Sequence, residues 1–185
     1  RGGYTGFAVE ITDLVDRDGE NLLTVQLDTR EDPTIPPFGF VIDYLTYGGL
    51  YREVWLEATA ESRLTDLFVY TSTLQEAVVQ WTAELTPATA AVRIRLETAE
   101  GTLLAEQTAP VAETGKMQLS VPEAQPWDTE HPVLHHAIAE LLNAVGQPID
   151  RKQVTFGFRT AEFRADGFYL NGKKTFLRGL NRHQS

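Results

Sequence analysis

Apolar and polar residues alternate with period two along most of this chain. That is the period of strands, whose successive side chains point to opposite faces. The alternation runs through "GFAVEITDL" (6–14), "ENLLTVQLD" (20–28), "YREVWLEAT" (51–59), "LTDLFVYTS" (64–72) and "EAVVQWTAEL" (76–85). It continues in "AAVRIRLET" (90–98), "TLLAEQTAPV" (102–111), "KMQLSVP" (116–122) and "KQVTFGFRTAEF" (152–163). Asp18-Gly19, Glu100-Gly101, Gly146 with Pro148, and Asp166-Gly167 punctuate the runs as turns. Strands at such spacings predict an all-β sandwich.

One segment resists the pattern. "HPVLHHAIAELLNAVG" (131–146) has the Ala, Leu and Glu of a helix, yet Val133, Leu134, Ala137, Ile138 and Leu141 also allow an irregular strand. Its strand-rich surroundings favour strand. No internal repeat or low-complexity stretch interrupts the chain. A composition shift at 58–65, "ATAESRLT", marks a boundary. Residues 60–163 then carry the strands that a seven-stranded sandwich of about 100 residues needs, whereas residues 1–58 carry too few to close one.

Two loops hold candidate chemistry. "YLTYGGLYREVWLE" (44–57) crowds aromatic residues around a glycine bend, with Asp43 just upstream. Glycine accepts the positive φ of a sharp bend, and from the residues alone Asp43 reads as a turn cap. At the other end, "GFYLNGKKTFLRGLNRHQS" holds Asn171-Gly172, the strongest short-range hairpin signature. If "TFLRG" opened a (β/α)8 barrel, Asn181, Arg182 and His183 would stand at the end of a barrel strand, where such active sites are built.

Composition removes other classes. The 185 residues carry a formal net charge of −10, from 26 acids against 16 bases. Nucleic acid and anionic membrane surfaces would be repelled. Without cysteine there is no disulfide or thiolate metal site. His131, His135 and His136 have no suitably spaced acid pair nearby and read as scaffold. Trp81, Trp127, Phe156 and Phe158 read as core or interdomain packing, and Arg52 as a structural ion-pair partner. "RGGYTGFAVEITDLV" has no initiator methionine or signal-peptide architecture, and "FLRGLNRHQS" stops after a strand-like run; both ends are expected to be cut from a longer protein.

Taken together, "GGYTGFAVEITDLV", "DYLTYGGLYREVWL" (43–56), "PWDTEHPVL" (126–134) and "VTFGFRTAEFRADGFYLNGKKTFLRGLNRH" (154–183) resemble glycoside hydrolase family 2. The resemblance implies three pieces. Residues 1–58 would be the later part of a jelly-roll-like sugar-binding domain, 59–163 an immunoglobulin-like β-sandwich, and 164–185 the opening hairpin and strand of a (β/α)8 catalytic barrel. It implies retaining hydrolysis of terminal β-galactosides by a homo-oligomeric whole, with a lean to the cytoplasm. A β-glucuronidase or a free-standing carbohydrate-binding module are the alternatives.

Both catalytic glutamates of the family would lie beyond Ser185, so no catalytic residue is assigned here. Asp43 and His183 would bond sugar hydroxyls; Asn181 counts with them as a substrate-binding residue, and with Arg182 it would hold the strand end. No metal site or cofactor is assigned to these residues, although a divalent cation such as Mg is possible in the barrel. "NRHQ" has Gln184 where an acid often follows the histidine, which bears on sugar preference.

Overall fold

The structure, a computed structural model, describes residues 5–30, 34 and 48–181. The chain divides into two units, residues 1–56 with 180–185 and residues 57–179.

In the first unit the described residues form turns and extended chain without a strand. The amides of Leu14 and Val15 donate to the Ile11 carbonyl, and Asn21 closes a loop by accepting from the Asp16 amide at 2.9 Å. The strands expected at 6–14, 20–28 and 51–59 are therefore not formed. Alternation supplies a strand with an apolar face, but only a neighbouring backbone makes it a ladder, and none pairs with these segments among the described residues. Their apolar side chains stay exposed, Leu22 at 94% and Trp55 at 75%.

The second unit is all β. Its first sheet orders β1 (Arg63–Thr73), β2 (Glu76–Glu84) and β5 (Thr114–Ser120) as β1-β2-β5. Its second contains β3 (Thr89–Thr98), β4 (Leu103–Pro110), β6 (His135–Asn143) and β7 (Pro148–Phe156), ordered β4-β3-β6-β7. All pairs are antiparallel. This is an immunoglobulin-like sandwich. The inner faces interlock through Leu67, Val79, Ile94, Leu96, Leu119 and Leu141, each burial stabilising by about 1.5–3 kcal/mol. Trp81 closes the core beside β5. Its indole N–H donates to the Ala112 carbonyl at 3.1 Å, and its ring covers Gly115, its cross-strand partner.

The ambiguous 131–146 segment becomes β6, the strand between β3 and β7. Tertiary pairing on both sides overrides its helical composition. It lacks clean alternation because both its faces are covered. Ala137, Ala139 and Leu141 join the core, while Ile138, Glu140 and Leu142 are buried on the outer face. Glu140 accepts from the Arg93 Nε at 2.8 Å, and Arg95 lies 3.7 Å away. A buried carboxylate needs such partners.

Two side chains of β7 tie the sheets together. The Leu64 amide donates to the Asp150 carboxylate at 2.7 Å, and the Lys152 ammonium donates to the Thr65 carbonyl at 2.8 Å. Both contacts fall where the β1–β2 register shifts between Leu64 and Asp66, which turns Leu64 and Leu67 alike into the core.

The run expected as one strand over 152–163 is broken. β7 ends at Phe156, Phe158 makes an isolated bridge with Pro126, and a separate strand β8 covers Ala161–Arg164. Gly157 is the cause: a Cβ there would lie 2.6 Å from the Cβ of Trp127, so the chain bends against that residue. β8, β9 (Gly167–Leu170) and β10 (Lys173–Lys174) form a small sheet ordered β10-β9-β8. The β9–β10 turn is the expected one, with Asn171 at φ 51° and Gly172 at φ 76°. The "TFLRG" run forms no strand: β10 ends at Lys174, and past it only the Thr175 amide still reaches β9, donating to the Phe168 carbonyl at 2.8 Å.

Candidate functional site

Of the residues expected to meet a sugar, Asp43 and His183 lie outside the described residues. Asn181 is exposed and belongs to no strand. What the structure does describe, within the second unit, is a junction that fixes the β8–β10 hairpins to the sandwich.

The junction is built around Trp127, Phe158 and Asn171. The Trp127 amide donates to the Phe158 carbonyl at 2.8 Å, drawing the 126–127 loop onto the end of the sandwich. Asn171 then uses three groups at once. Its backbone amide donates to the Thr160 carbonyl at 2.8 Å, its side-chain oxygen accepts from the Thr160 amide at 3.0 Å, and its side-chain nitrogen donates to the Trp127 carbonyl at 2.9 Å. Asparagine suits both tasks, because it tolerates a left-handed backbone and offers a donor and an acceptor.

Arg159 adds a second tie. Its guanidinium stands 4.7 Å from the centroid of the Trp127 ring, within cation–π range. Its carbonyl accepts from the Thr71 hydroxyl at the end of β1. Phe158 is fully buried, with its ring 5.1 Å from Phe156 and 5.0 Å from His135.

His135 is the electrostatic oddity. It is 3% exposed, its Nδ1 has no hydrogen-bond partner, and two aromatic rings face it. Burial lowers its pKa; Glu100 acts weakly in the opposite direction, and His136 reinforces the lowering. On the hairpin, Asp166 is held below the usual carboxylate range by the Tyr169 hydroxyl and the Lys174 ammonium. Asp128 is lowered by the amides of His131 and Glu130, which fold the 128–131 turn around it.

The aromatic residues sort themselves by position. Trp81 and Phe158 are core, Phe156 packs against that core, and Trp127 carries the junction. Among the described residues no three His, Asp or Glu side chains gather at one place. Sequence reasoning singled out Asn171 only as a turn residue. Its bond to Trp127 spans 44 residues and leaves no local trace.

Comparison with known proteins extends this picture. Residues 62–159, nearly the whole sandwich, match the family model described as Glycosyl hydrolases family 2. A β-galactosidase of Thermoanaerobacter pseudethanolicus is 34% identical over all of this chain and 26% of its own length. A β-galactosidase of Rhizobium meliloti is 36% identical over all of this chain and 25% of its own. The chain thus spans about a quarter of the length of these relatives. Among solved structures, the β-glucuronidase of Bifidobacterium dentium, complexed with coumarin-3-O-glucuronide, superposes with a TM-score of 0.51 at 27% identity. It covers 62% of this chain and 21% of that one.

Proposed function

This chain belongs to glycosyl hydrolases family 2, and from that premise we propose that it is the accessory portion of a longer retaining β-glycosidase acting on terminal β-galactosides. The observation that carries the reading is similarity to two β-galactosidases across the full chain, at 34% and 36% identity.

Retaining hydrolysis uses two carboxylates about 5–5.5 Å apart, one as nucleophile and one as acid/base. In this reading both come from the catalytic barrel of the longer protein, and none of Glu53, Glu130 or Glu162 takes either role. The part played by these residues is to hold and select. Asp43 accepts a hydrogen bond from a sugar hydroxyl, His183 meets the same sugar, and Asn181 steadies the chain end that carries His183. Within the second unit the Asn171–Trp127 junction anchors the hairpin that precedes Asn181 in the chain.

A β-glucuronidase is the second reading, favoured by the likeness to the Bifidobacterium dentium enzyme. The test of the class compares two samples with nitrophenyl β-galactoside. The 185-residue chain alone should give no turnover, and the longer protein should give steady release of nitrophenol. Turnover by the isolated chain would place the catalytic carboxylates within it and overturn the reading.

A further inference from the structure

The outer face of the β1-β2-β5 sheet mixes two exposed aromatic rings with charged and amide side chains. Register sets three rows across it. Asp66 stands beside Thr82 and Thr114, Phe68 beside Gln80 and Lys116, and Tyr70 beside Val78 and Gln118. Phe68 and Tyr70 share one edge strand and one face, with ring centroids 6.0 Å apart and planes inclined by 34°. Both rings meet solvent, Phe68 at 54% and Tyr70 at 42%. A shallow, open depression of about 360 Å³ lies beside Phe68, lined by Asp66, Gln80, Thr82 and Lys116 and floored at Gly115. Gly115 must remain glycine for the sake of Trp81 beneath it, so the depression reaches the sheet backbone.

The chemistry of these rows narrows the occupant. An apolar protein interface is depleted in Lys and Asp at its centre, and here Lys116 and Asp66 sit in the depression itself. A phosphate backbone would meet a chain of net charge −10. A purely apolar ligand would leave the carboxylate, amide, ammonium and hydroxyl groups without partners. A pyranose offers what is missing, an apolar C–H face for the rings and a rim of hydroxyls that both donate and accept. Gln80 can do both, Lys116 donates and Asp66 accepts.

We propose that this face binds a β-linked oligosaccharide, with sugar rings laid on Phe68 and Tyr70 and hydroxyls bonded by Asp66, Gln80 and Lys116. The choice of carbohydrate over another neutral polyol rests on the glycosidase reading above. Such a face would hold a glycan chain on the protein surface while its end is processed.

Titration of the ¹⁵N-labelled chain with β-1,4-galactotetraose, and separately with cellotetraose, tests the proposal by NMR. At least one should shift the amides of Phe68, Gln80 and Lys116. Phe68→Ala and Tyr70→Ala should each weaken binding about five- to tenfold, whereas Phe163→Ala, an exposed aromatic on β8, should leave it unchanged. Gln80→Ala should weaken it without altering the aromatic pair, and unchanged amide shifts in β3 and β6 would show each variant folded. The proposal is overturned if neither sugar shifts these amides, if the shifts fall elsewhere, or if both aromatic variants bind as the parent does. Self-association through this face, seen as concentration-dependent shifts without sugar, would also overturn it. Aryl-galactoside hydrolysis by the longer protein does not need this face. Loss of tetraose binding with that activity intact would therefore sink this inference alone, and the converse would sink the glycosidase reading alone.

Discussion

Asn171 donates its side-chain N–H to the Trp127 carbonyl at 2.9 Å, joining the tip of the β9–β10 turn to a loop at the end of the sandwich. The same side chain accepts from the Thr160 amide at 3.0 Å, so one residue ties three segments. Since a part-buried side chain with two hydrogen bonds is costly to truncate, Asn171→Ala should destabilise the hairpins by about 1–3 kcal/mol, with a further penalty for alanine at positive φ. Hydrogen exchange should show lost protection at Thr160 and in β9, with β3 and β6 unchanged. Asn171→Gly, which relieves the backbone but not the bonds, should recover only part. Equal exchange in all three proteins would mean that the junction is incidental.

Gly115 makes a sharper case for the core. A Cβ at this position would lie 2.2 Å from Cζ2 of Trp81, a contact no real side chain makes. Gly115→Ala should therefore push the indole off the Ala112 carbonyl and cost about 1–3 kcal/mol from overpacking. Urea unfolding followed by tryptophan fluorescence would read both effects. An unchanged midpoint would mean that the sheet yields there without strain.

Much of the sandwich was legible in the sequence because strands such as β2, β3 and β5 alternate between a buried and a more exposed face. "EAVVQWTAEL" places Ala77, Val79, Trp81 and Ala83 on one face, and all four are core. The same pattern in "ENLLTVQLD" led to no strand, because alternation predicts a face and says nothing of who pairs with it. β6 was harder: its two buried faces erase the alternation, and only its strand-rich surroundings pointed to the strand that forms at His135–Asn143. The break at Gly157 could not be read, since its cause, Trp127, is remote in sequence. The candidate site divides in the same way. Asn171-Gly172 announces its turn through local backbone chemistry, but its bonds to Thr160 and Trp127 are tertiary. Asp43 and His183 owe their assignment to family resemblance and lie outside the described residues.

His135 should make the fold acid-sensitive. Burial lowers its pKa in the folded state below the ordinary value of about 6.5, so the unfolded chain takes up the proton first. Stability is then full above that ordinary value and falls as pH drops from it toward the lowered one. Glu100 and His136 are the charged groups acting on it, in opposite senses. The melting temperature of the parent should drop between pH 7.5 and pH 5.5 (on the order of one unit either side of the ordinary value) by more than that of His135→Phe. Asp128 and Asp166, whose lowered values act in more acidic solution, do not cover this window. Parallel curves for the two proteins would remove His135 from the account.

Asp43 is expected to act through a charge-assisted bond to a sugar hydroxyl, worth about 1.5–3 kcal/mol. In the longer protein, Asp43→Ala should lower kcat/KM by roughly ten- to more than a hundredfold. It should also narrow the preference for a sugar over its deoxy analogue, because discrimination follows from the hydroxyl partner itself. His183→Ala should act in the same direction with a smaller effect. If both variants keep the parent's kcat/KM and selectivity, Asp43 is a turn cap.

The most direct measurement is kcat/KM of the longer protein on nitrophenyl β-galactoside and on nitrophenyl β-glucuronide, side by side. The galactosidase reading predicts turnover of the galactoside at least about tenfold more efficient, a difference of about 1.4 kcal/mol between the two transition states. Preference for the glucuronide would transfer the chain to the second reading, and hydrolysis of neither would contradict the proposed activity outright.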